Sequence, residues 1–507
     1  NEAPGVQRKK PSGHAKRKVS FIMAGIAGIQ SDRTNVADVE TMLERIRHRG
    51  PDHVEMHENG CLGGVVSSRL SPARGTGFAR DEGVAVLFDG EVYNPRQDGQ
   101  SDADVVLALY REHGRRFPAY LAGVFGCAVL TEDEVLLARD PVGVRPMYWS
   151  CDPEGTTRFA SEMKALAGLA DVIEELPPGT TFSSKSGLAG YLPRYPEVEV
   201  PADVETAIAR VREAVIRAVE RRLADGAVGA CLLSGGLDSS IIAAVANEIR
   251  PGLPVVTVGM EGAPDLENAM LMAAHLGVGH HVEVFGPEQI ERLVPKAVYS
   301  LESFDEDCVS GAIANLVASA TASHLTNCIL SGEGGDELFG GYHLLKTLPT
   351  ESERLQMMHK LIAIAYNTAV QRLDRAMMAN SINYRTPFLD TEVIALALQI
   401  PVRWKIHDPG DGNLIEKWIL REAFKDLLPH QIYLREKLRF SGGTGTDGVM
   451  DRIAEGKLKA EGHGERAQTA TGYPLNSPKE QWYYDLFKER FPGLACENLV
   501  GRWDPNK

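Results

Sequence analysis

Cysteine is sparse and unpaired in this 507-residue chain. Its seven cysteines (Cys61, Cys127, Cys151, Cys231, Cys308, Cys328 and Cys496) are scattered, odd in number and form no CxxC pair. That leaves no zinc knuckle or disulfide framework to read, and fits a reducing cytoplasm. Positive charge is short as well: 54 Lys and Arg stand against 69 Asp and Glu, a net charge of −15. A general nucleic-acid binder needs the opposite balance. Apolar runs long enough to span a bilayer are missing, so no membrane partner is expected. What is present is the composition of a soluble globular protein, 43% hydrophobic and 24% charged. The chain is too long for one ordinary core, so two domains are expected.

Residues 1–22 stand apart. Arg8, Lys9, Lys10, Lys16, Arg17 and Lys18 crowd a segment broken by Pro4, Gly5, Pro11 and Gly13. It lacks the apolar centre of a signal peptide. It reads as a basic, disordered leader, with a partner-binding arm as the alternative.

Residues 23–192 read as strand-rich, with short apolar runs at 83–88 and 124–130 and helices near 36–46 and 103–113. Residues 191–201 carry three prolines among acidic residues and read as a linker. Val204, Ile208, Val211, Val215 and Val219 then recur at helical spacing. From there short strands at 253–258, 281–284 and 328–330 alternate with helices, one of them at 266–276 and opened by Asp265 and Glu267. That alternation argues for an α/β domain over 193–507 with a doubly wound parallel sheet. Beyond Glu351 the chain reads mostly as a helical tail.

The string Leu232, Leu233, Ser234, Gly235, Gly236, Leu237, Asp238, Ser239, Ser240 carries the most chemistry. It reads as a strand end, a tight Gly-rich loop and a helix start. Such a loop aims backbone N–H groups and a helix N-terminus at phosphate oxygens. The serines add hydroxyl donors, and Asp238 can hold Mg2+ against those phosphates. A bare SGG is more often an ordinary turn, because Ser and Gly are common helix starters. A second Gly-rich loop, Ser331, Gly332, Glu333, Gly334, Gly335, Asp336, Glu337, follows the run at 328–330. Asp336 can share the metal with Asp238, and Glu333 can orient or deprotonate an amine. Val258 and Gly259 end a strand and could line an adenine pocket, although plain strand-end packing explains them nearly as well.

The nine-residue string resembles the pyrophosphate loop of ATP pyrophosphatases. Taken with the second loop, Lys437 in L-R-E-K-L-R-F-S, the run R-T-P-F-L-D from Arg385 and S-P-K-E from Ser477, the chain resembles asparagine synthetase (glutamine-hydrolysing), and its relatives the β-lactam synthetases and lasso-peptide cyclases. The resemblance runs from Met23 to about Pro492. It implies ATP as cosubstrate, adenylation of a carboxylate, attack by an amine, and release of AMP and pyrophosphate. Lys437 is implied in stabilising the charge that builds on the phosphates.

The N-terminal half carries M-A-G-I-A-G-I from Met23 and R-H-R-G-P-D from Arg47, and resembles a class II glutamine amidotransferase domain. The implied fold is an Ntn-type α/β/β/α sandwich, α+β in class. Active members carry a cysteine after the initiator Met; here the position is Ala24, which has no nucleophile. The family has Asn where this chain has Asp89, and an ionised carboxylate cannot donate to an oxyanion. Losing such a donor costs roughly a hundredfold to a thousandfold. The rest of the implied glutamine-holding shell remains: Arg69, Gly90, Glu91 and Asp102. The domain is therefore expected to fold, with a degenerate pocket that could still hold an amino acid.

Glu333 places the chain nearer asparagine synthetase than β-lactam synthetase, which resembles this loop but carries Tyr there and a Glu near the position of Gln371. Asparagine synthetases have an arginine where this chain has Ser310, thought to grip aspartate, after an acidic strand end. Asn383 and Tyr384 also depart from the family's Glu and small residue. Without that guanidinium, a substrate α-carboxylate loses its bidentate partner. Asp305, Glu306 and Asp307 would suit a cation or a neutral polar group, unless another Arg or Lys compensates. The expectation is an ATP-dependent amide ligase of specialised biosynthesis. It would act on a small carboxylic acid other than aspartate, with an amine or ammonia donor and no glutamine hydrolysis; a homodimer is left open. The alternatives are a conventional asparagine synthetase carrying a Cys-to-Ala change, and a catalytically silent binding protein on the same fold.

Overall fold

The computed structural model describes residues 24–31, 36–59, 61–68, 77–438, 440–460 and 468–502. The basic leader, Met23 and Arg69 lie outside the described residues.

Residues 24–190 build two six-stranded sheets stacked face to face. One contains Ala24–Gln30 paired antiparallel to Cys61–Ser67; the other contains Val84–Val92 paired to Gly123–Leu130. Their inner faces meet in a dry layer that includes Ile26, Leu87, Leu137 and Phe159. Trp149 and Phe182 stack within it, ring centroids 3.7 Å apart. Both strands read as near-continuous apolar runs because each is covered on two sides. The outer layers are helical. Asp102–His113 packs Val106 against Val86 and Phe88. It starts where the Ser101 hydroxyl accepts from Asp104 N and the Asp104 carboxylate accepts from Ser101 N, a reciprocal cap. The helix Val36–Arg45 turns Val39, Met42 and Leu43 inward. The result is the expected four-layer α/β/β/α sandwich.

After an irregular stretch at 191–203, Asp203 caps the helix Val204–Leu223. The second sheet system is fully parallel. Its order is His280–Val284, Val255–Gly259, Ala230–Leu232, Cys328–Leu330, Asn383–Arg385. The last strand was not expected; three residues show no periodicity, and only pairing with Cys328–Leu330 reveals it. Chain order reverses between Ala230–Leu232 and Cys328–Leu330. In a doubly wound sheet the ligand crevice opens at such a reversal, outside the carboxyl ends of the strands. Both Gly-rich loops leave from those ends.

Two helices went unread. Pro287–Leu301 closes at Glu302, in the left-handed region at φ 58°, so the acidic segment follows a helix rather than a strand. Asp305 then caps Glu306–Ser323, accepting from Cys308 N at 2.8 Å. The tail beyond Glu351 is mainly helical, as expected. Lys437 is an exception: it stands in an irregular segment between His430–Leu434 and Phe440–Thr444, not on a helix. Among the described residues no helix is long and apolar enough to cross a membrane.

Candidate active site

The two Gly-rich loops are packed directly on one another. A Cβ on Gly332 would stand 2.7 Å from Ser239 N, and one on Gly335 would stand 2.7 Å from Asp238 Oδ1. Glycine at both positions lets the loops close. Gly235 takes φ 73°, and a Cβ there would meet Ala269 N at 2.5 Å, so this turn also demands glycine.

Two cavities open from this junction. The larger, about 290 Å3, is walled by Leu233, Ser234, Asp238, Ser239, Val258, Ser331, Gly332, Glu333, Asp336 and Lys437 from the expected set, with Asp305. The smaller, about 60 Å3, lies over Ser234, Gly236, Leu237, Asp238 and Ser239 and is rimmed by Lys417, Arg421, Arg435 and Lys437. Asp238, Asp265 and Glu436 share this pocket, so the four cations leave a small cationic excess beside the loop.

Lysines hold the carboxylates at the junction. Lys417 Nζ contacts Asp238 Oδ2 and lies 2.6 Å from Asp336 Oδ1. Lys437 Nζ donates to Asp336 Oδ2 at 2.6 Å. Burial alone would raise the Asp336 carboxyl, but Lys417 and Lys437 outweigh it and hold it well below the usual carboxylate range. Asp238 moves the other way: burial, helped by the negative charge of Asp336, raises it against the pull of Lys417. Glu333 is also raised by burial, with Arg372 and Lys437 opposing and Asp336 adding to the rise. A second layer orients these groups. Glu416 Oε1 accepts from Lys437 N at 3.0 Å and from Arg421 Nη2 at 2.7 Å. Arg435 donates to Gly235 O at 2.6 Å and pairs with Asp265.

The carboxylates Asp238 and Asp336 fit a magnesium ion bridged to phosphates, which usually takes only one or two protein carboxylates. Among the described residues Asp238 Oδ1 is buried with no hydrogen-bond partner, an acceptor such an ion could use. Among the described residues no group of three or more His, Cys, Asp or Glu could hold a metal by itself.

Some expected residues are elsewhere. Gly259 faces Leu266, whose Cγ would stand 2.9 Å from an added Cβ, and only its neighbour Val258 reaches the wall. Ser240 is fully buried along the helix Leu237–Ile249 and borders neither cavity. Ser310 is off the wall too. The helix Glu306–Ser323 presents Asp307, Cys308, Gly311, Asn315 and Ala318 to the cavity, a stripe at helical spacing. Ser310 lies about 100° from Gly311 around the axis and meets Tyr483 instead. Gln371 likewise turns away, donating to Leu301 O at 2.8 Å.

Sequence reasoning missed Lys417, Arg421, Arg435 and Arg372. The first three look like ordinary surface cations, and nothing local marks them. Arg372 had a signal: Ala369, Arg372 and Leu373 follow the i, i+3, i+4 pattern and all line the cavity from the helix Ala369–Met378. Its guanidinium lies 3.5 Å from Glu333 Oε1. The acyl end is therefore not purely acidic.

Of the residues expected around a glutamine pocket, Asp89 and Glu91 sit in a buried ionic layer. Asp89 accepts from Arg49 Nη2 and from Ser161 Oγ, each at 3.0 Å. Arg49 also donates to Ala24 O at 3.3 Å and to Asp374 at 2.8 Å. Glu91 accepts from Asn383 at 2.7 Å and Arg385 at 2.9 Å. Tyr384 donates to Asp374 at 3.0 Å. Asp102 pairs with Arg96 at 2.7 Å. Gly90, at φ 150°, is held to glycine by Val124 O, 2.1 Å from an added Cβ. Asp89 thus meets a guanidinium, and Asn383 and Tyr384 join the same layer through Arg145, Glu91 and Asp374.

Comparison with known proteins matches this arrangement. Residues 23–180 match a glutamine amidotransferase domain model, and residues 210–363 and 346–490 match the asparagine synthase model. Asparagine synthetase [glutamine-hydrolyzing] 2 of Arabidopsis thaliana is 31% identical over 94% of this chain and 89% of its own. The asparagine synthetases of Brassica oleracea and Zea mays are 32% and 31% identical, over 91% and 96% of this chain and 84% and 88% of their own. Among solved structures, the allosteric regulatory enzyme of purine biosynthesis matches loosely, at TM-score 0.28 and 15% identity over 51% of this chain and 80% of that one. With catalytic-loop motifs, both domain types and these relatives in agreement, the chain belongs to the asparagine synthetase family and is an ATP-dependent carbon–nitrogen ligase.

Proposed function

We propose that this enzyme adenylates a small carboxylic acid other than aspartate and passes the acyl group to ammonia or a small amine taken from solution. Residues 23–192 would serve as a non-hydrolysing domain on the ligase domain 193–507. The observation that carries the reading is the junction of Ser234–Ser239 and Ser331–Asp336 under Lys417 and Lys437, open to both cavities.

The proposed chemistry runs from those residues. Loop N–H groups and Ser234 and Ser239 cradle the ATP phosphates, with the base against Leu233 and Val258. Asp238 and Asp336 would hold Mg2+, which supplies charge neutralisation on the phosphates. The substrate carboxylate oxygen attacks the α-phosphorus, and pyrophosphate leaves with the bonding electron pair. Lys437, Lys417 and Arg435 stabilise that leaving charge in the small cavity. The amine then attacks the acyl carbon, AMP leaves, and Glu333 takes the amine proton. A raised Glu333 is a better proton acceptor than an ordinary carboxylate at neutral pH.

Two observations support the finer part. Ser310 is off the cavity wall and carries no guanidinium to offer a second carboxylate. Ala24 offers no nucleophile, and Asp89 is consumed by Arg49. A specialised biosynthetic role and a homodimer belong to the same reading. ATP–pyrophosphate exchange over a panel of carboxylic acids, followed by hydroxylamine trapping, tests it. Exchange with at least one acid other than aspartate is expected, with hydroxamate formed without glutamine. Asparagine made from aspartate at about 10 per second, a median enzyme rate, would restore the conventional reading. No exchange with any acid, despite tight Mg-ATP binding, would favour a silent binding protein.

A further inference from the structure

The two edges of the parallel sheet end differently. Asn383–Arg385 is covered by the N-terminal sandwich, where Glu91 accepts from Asn383 and Arg385, and Tyr384 donates to Val144 O at 3.1 Å. At the opposite edge, His280–Val284 pairs with Val255–Gly259 and, among the described residues, with no other strand. Gly279 O and Phe285 N bond that inner neighbour, so N–H and C=O at 280, 282 and 284 point outward. His281, Val282, Glu283 and Val284 are all exposed, the two valines by 41% and 52%. Met270, on the helix Pro264–Leu276 that leads into this strand, adds a side chain 57% exposed. Native edge strands are commonly blunted by lysine, proline or a bulge; this one has none of the three. Its one carboxylate, Glu283, finds a partner if the strand meets a copy of itself.

We propose that this edge is the dimer face of the protein: His280–Val284 pairs antiparallel with the same strand of a second copy, about a two-fold axis at Val282. The occupant follows from the order of the side chains. In that register Val282 stands opposite its counterpart, His280 opposite Val284, and His281 opposite Glu283, the unlike pairs each formed twice by symmetry. Directly opposed residues share a face, so each imidazole can donate to a carboxylate where cross-strand side chains come closest. Moving the axis one residue, to His281 or Glu283, would set two imidazoles or two carboxylates face to face, and like charges directly opposed are destabilising. The outward groups at 280, 282 and 284 bond one another, joining two five-stranded sheets into one. The paired strands run in opposite directions. Their carboxyl ends, and with them the cavities walled by Val258 and the Gly-rich loops, therefore open at opposite edges of the joined sheet. A pair of five-residue strands lies at the small end of specific interfaces, so the affinity expected is micromolar rather than nanomolar. This gives a face to the homodimer of the ligase reading and uses none of its chemistry.

Sedimentation velocity of the full chain over a concentration series tests this. The wild type is expected to pass from monomer to dimer in the micromolar range. Hydrogen–deuterium exchange in peptides spanning 278–286 should slow over the same range. Val282→Lys, which sets two ammonium groups on the axis, should abolish the dimer. His281→Glu opposes two pairs of carboxylates and should weaken it tenfold or more. Combining His281→Glu with Glu283→His restores unlike neighbours in the same register and should recover most of that loss. All three positions are exposed, so these changes leave the fold intact, and circular dichroism checks it. A wild type that stays monomeric overturns the proposal. So does a dimer that survives Val282→Lys, or a double variant no better than His281→Glu alone. Mg-ATP binding, measured on the same samples, decides the ATP site separately. A monomer that binds Mg-ATP removes the dimer face alone, and a dimer that fails to bind it removes the ligase reading alone.

Discussion

Asp89 accepts a hydrogen bond from Arg49 at 3.0 Å, and the same guanidinium reaches Asp374 at 2.8 Å. Asp89 belongs to the N-terminal sandwich and Asp374 to a helix that also lines the large cavity with Ala369, Arg372 and Leu373. The residue that departs from an oxyanion donor is thus part of the bond between the two halves. Arg145 joins the layer, donating to Asp374 at 3.0 Å and to Asn383 at 2.6 Å. All these side chains are buried.

Glutamine should therefore not be hydrolysed. Incubation with glutamine is expected to release glutamate no faster than buffer alone. Ala24→Cys should recover little by itself, since Asp89 remains tied as an acceptor to Arg49 and Ser161. The double change Ala24→Cys with Asp89→Asn removes the negative charge facing Arg49 and is expected to cost about 1–3 kcal/mol of stability in urea unfolding. Strong glutaminase activity in the Ala24→Cys variant would mean that Asp89 is compatible with the chemistry.

Asp374 carries more of the interface than Asp89. It faces Arg49, Arg145 and Arg375 at 2.8–3.0 Å. Burial raises its carboxyl, but Arg49, Arg375 and Arg145 outweigh that and hold it far below the usual range. A lowered folded pKa adds stability above the unfolded value of about 3.9 and loses it as pH falls below that value. Asp374→Ala leaves three buried guanidinium groups short of a partner and should cost about 3–5 kcal/mol at pH 7. Urea melts followed separately by fluorescence and circular dichroism should show the loss. The difference from wild type should shrink in acid, and a constant difference down to pH 3 would rule out the ionic account.

The phosphate loops make sharper demands on activity. Asp238→Asn removes a carboxylate oxygen proposed to hold Mg2+ and unbalances the contact with Lys417, so ATP–pyrophosphate exchange should disappear. Lys437→Ala should leave nucleotide binding within a few-fold but slow exchange about a hundredfold to a thousandfold, the size of one lost transition-state donor. Unchanged exchange in the Asp238→Asn variant would remove the basis for reading this loop as an ATP site.

Much of this was legible because the chemistry is local in the chain. Residues 232–240 and 331–337 announce two loops, and the alternation of strands and helices places both at the same sheet edge. Ala24 and Asp89 are visible as departures, but not that the Arg49 they share reaches on to Asp374, 325 residues along the chain. Lys417 was hidden for a similar reason. Its φ of 53° and its contacts with Asp238 and Asp336 arise from tertiary packing, including Gly341, where an added Cβ would stand 2.2 Å from the Lys417 Cε. That Ser310 would lie off the cavity wall was not legible, because an aligned position says nothing of helix phase. Reading Asp307, Gly311, Asn315 and Ala318 as one stripe would have excluded it.

Glu337 offers the clearest pH signature. It is buried, accepts from the Tyr342 hydroxyl, and has no partner for its other oxygen among the described residues. Burial raises its carboxyl, and the nearby charges of Asp336 and Glu333 raise it further, from about 4.5 to about 7. A carboxyl with a raised folded pKa binds its proton more tightly when folded. Its contribution to stability is full below the unfolded value and is lost as pH rises through the folded one. Between about pH 4.5 and pH 7 that loss amounts to roughly 3 kcal/mol, at about 1.4 kcal/mol per unit. Glu337→Gln keeps an acceptor for Tyr342 and cannot ionise. Relative to wild type, the variant should therefore gain stability steadily across this window and level off above pH 8. Urea midpoints measured from pH 4 to pH 9 on both proteins give the difference directly. A flat difference across that range would show that Glu337 titrates as an ordinary carboxylate and that its burial carries no such cost.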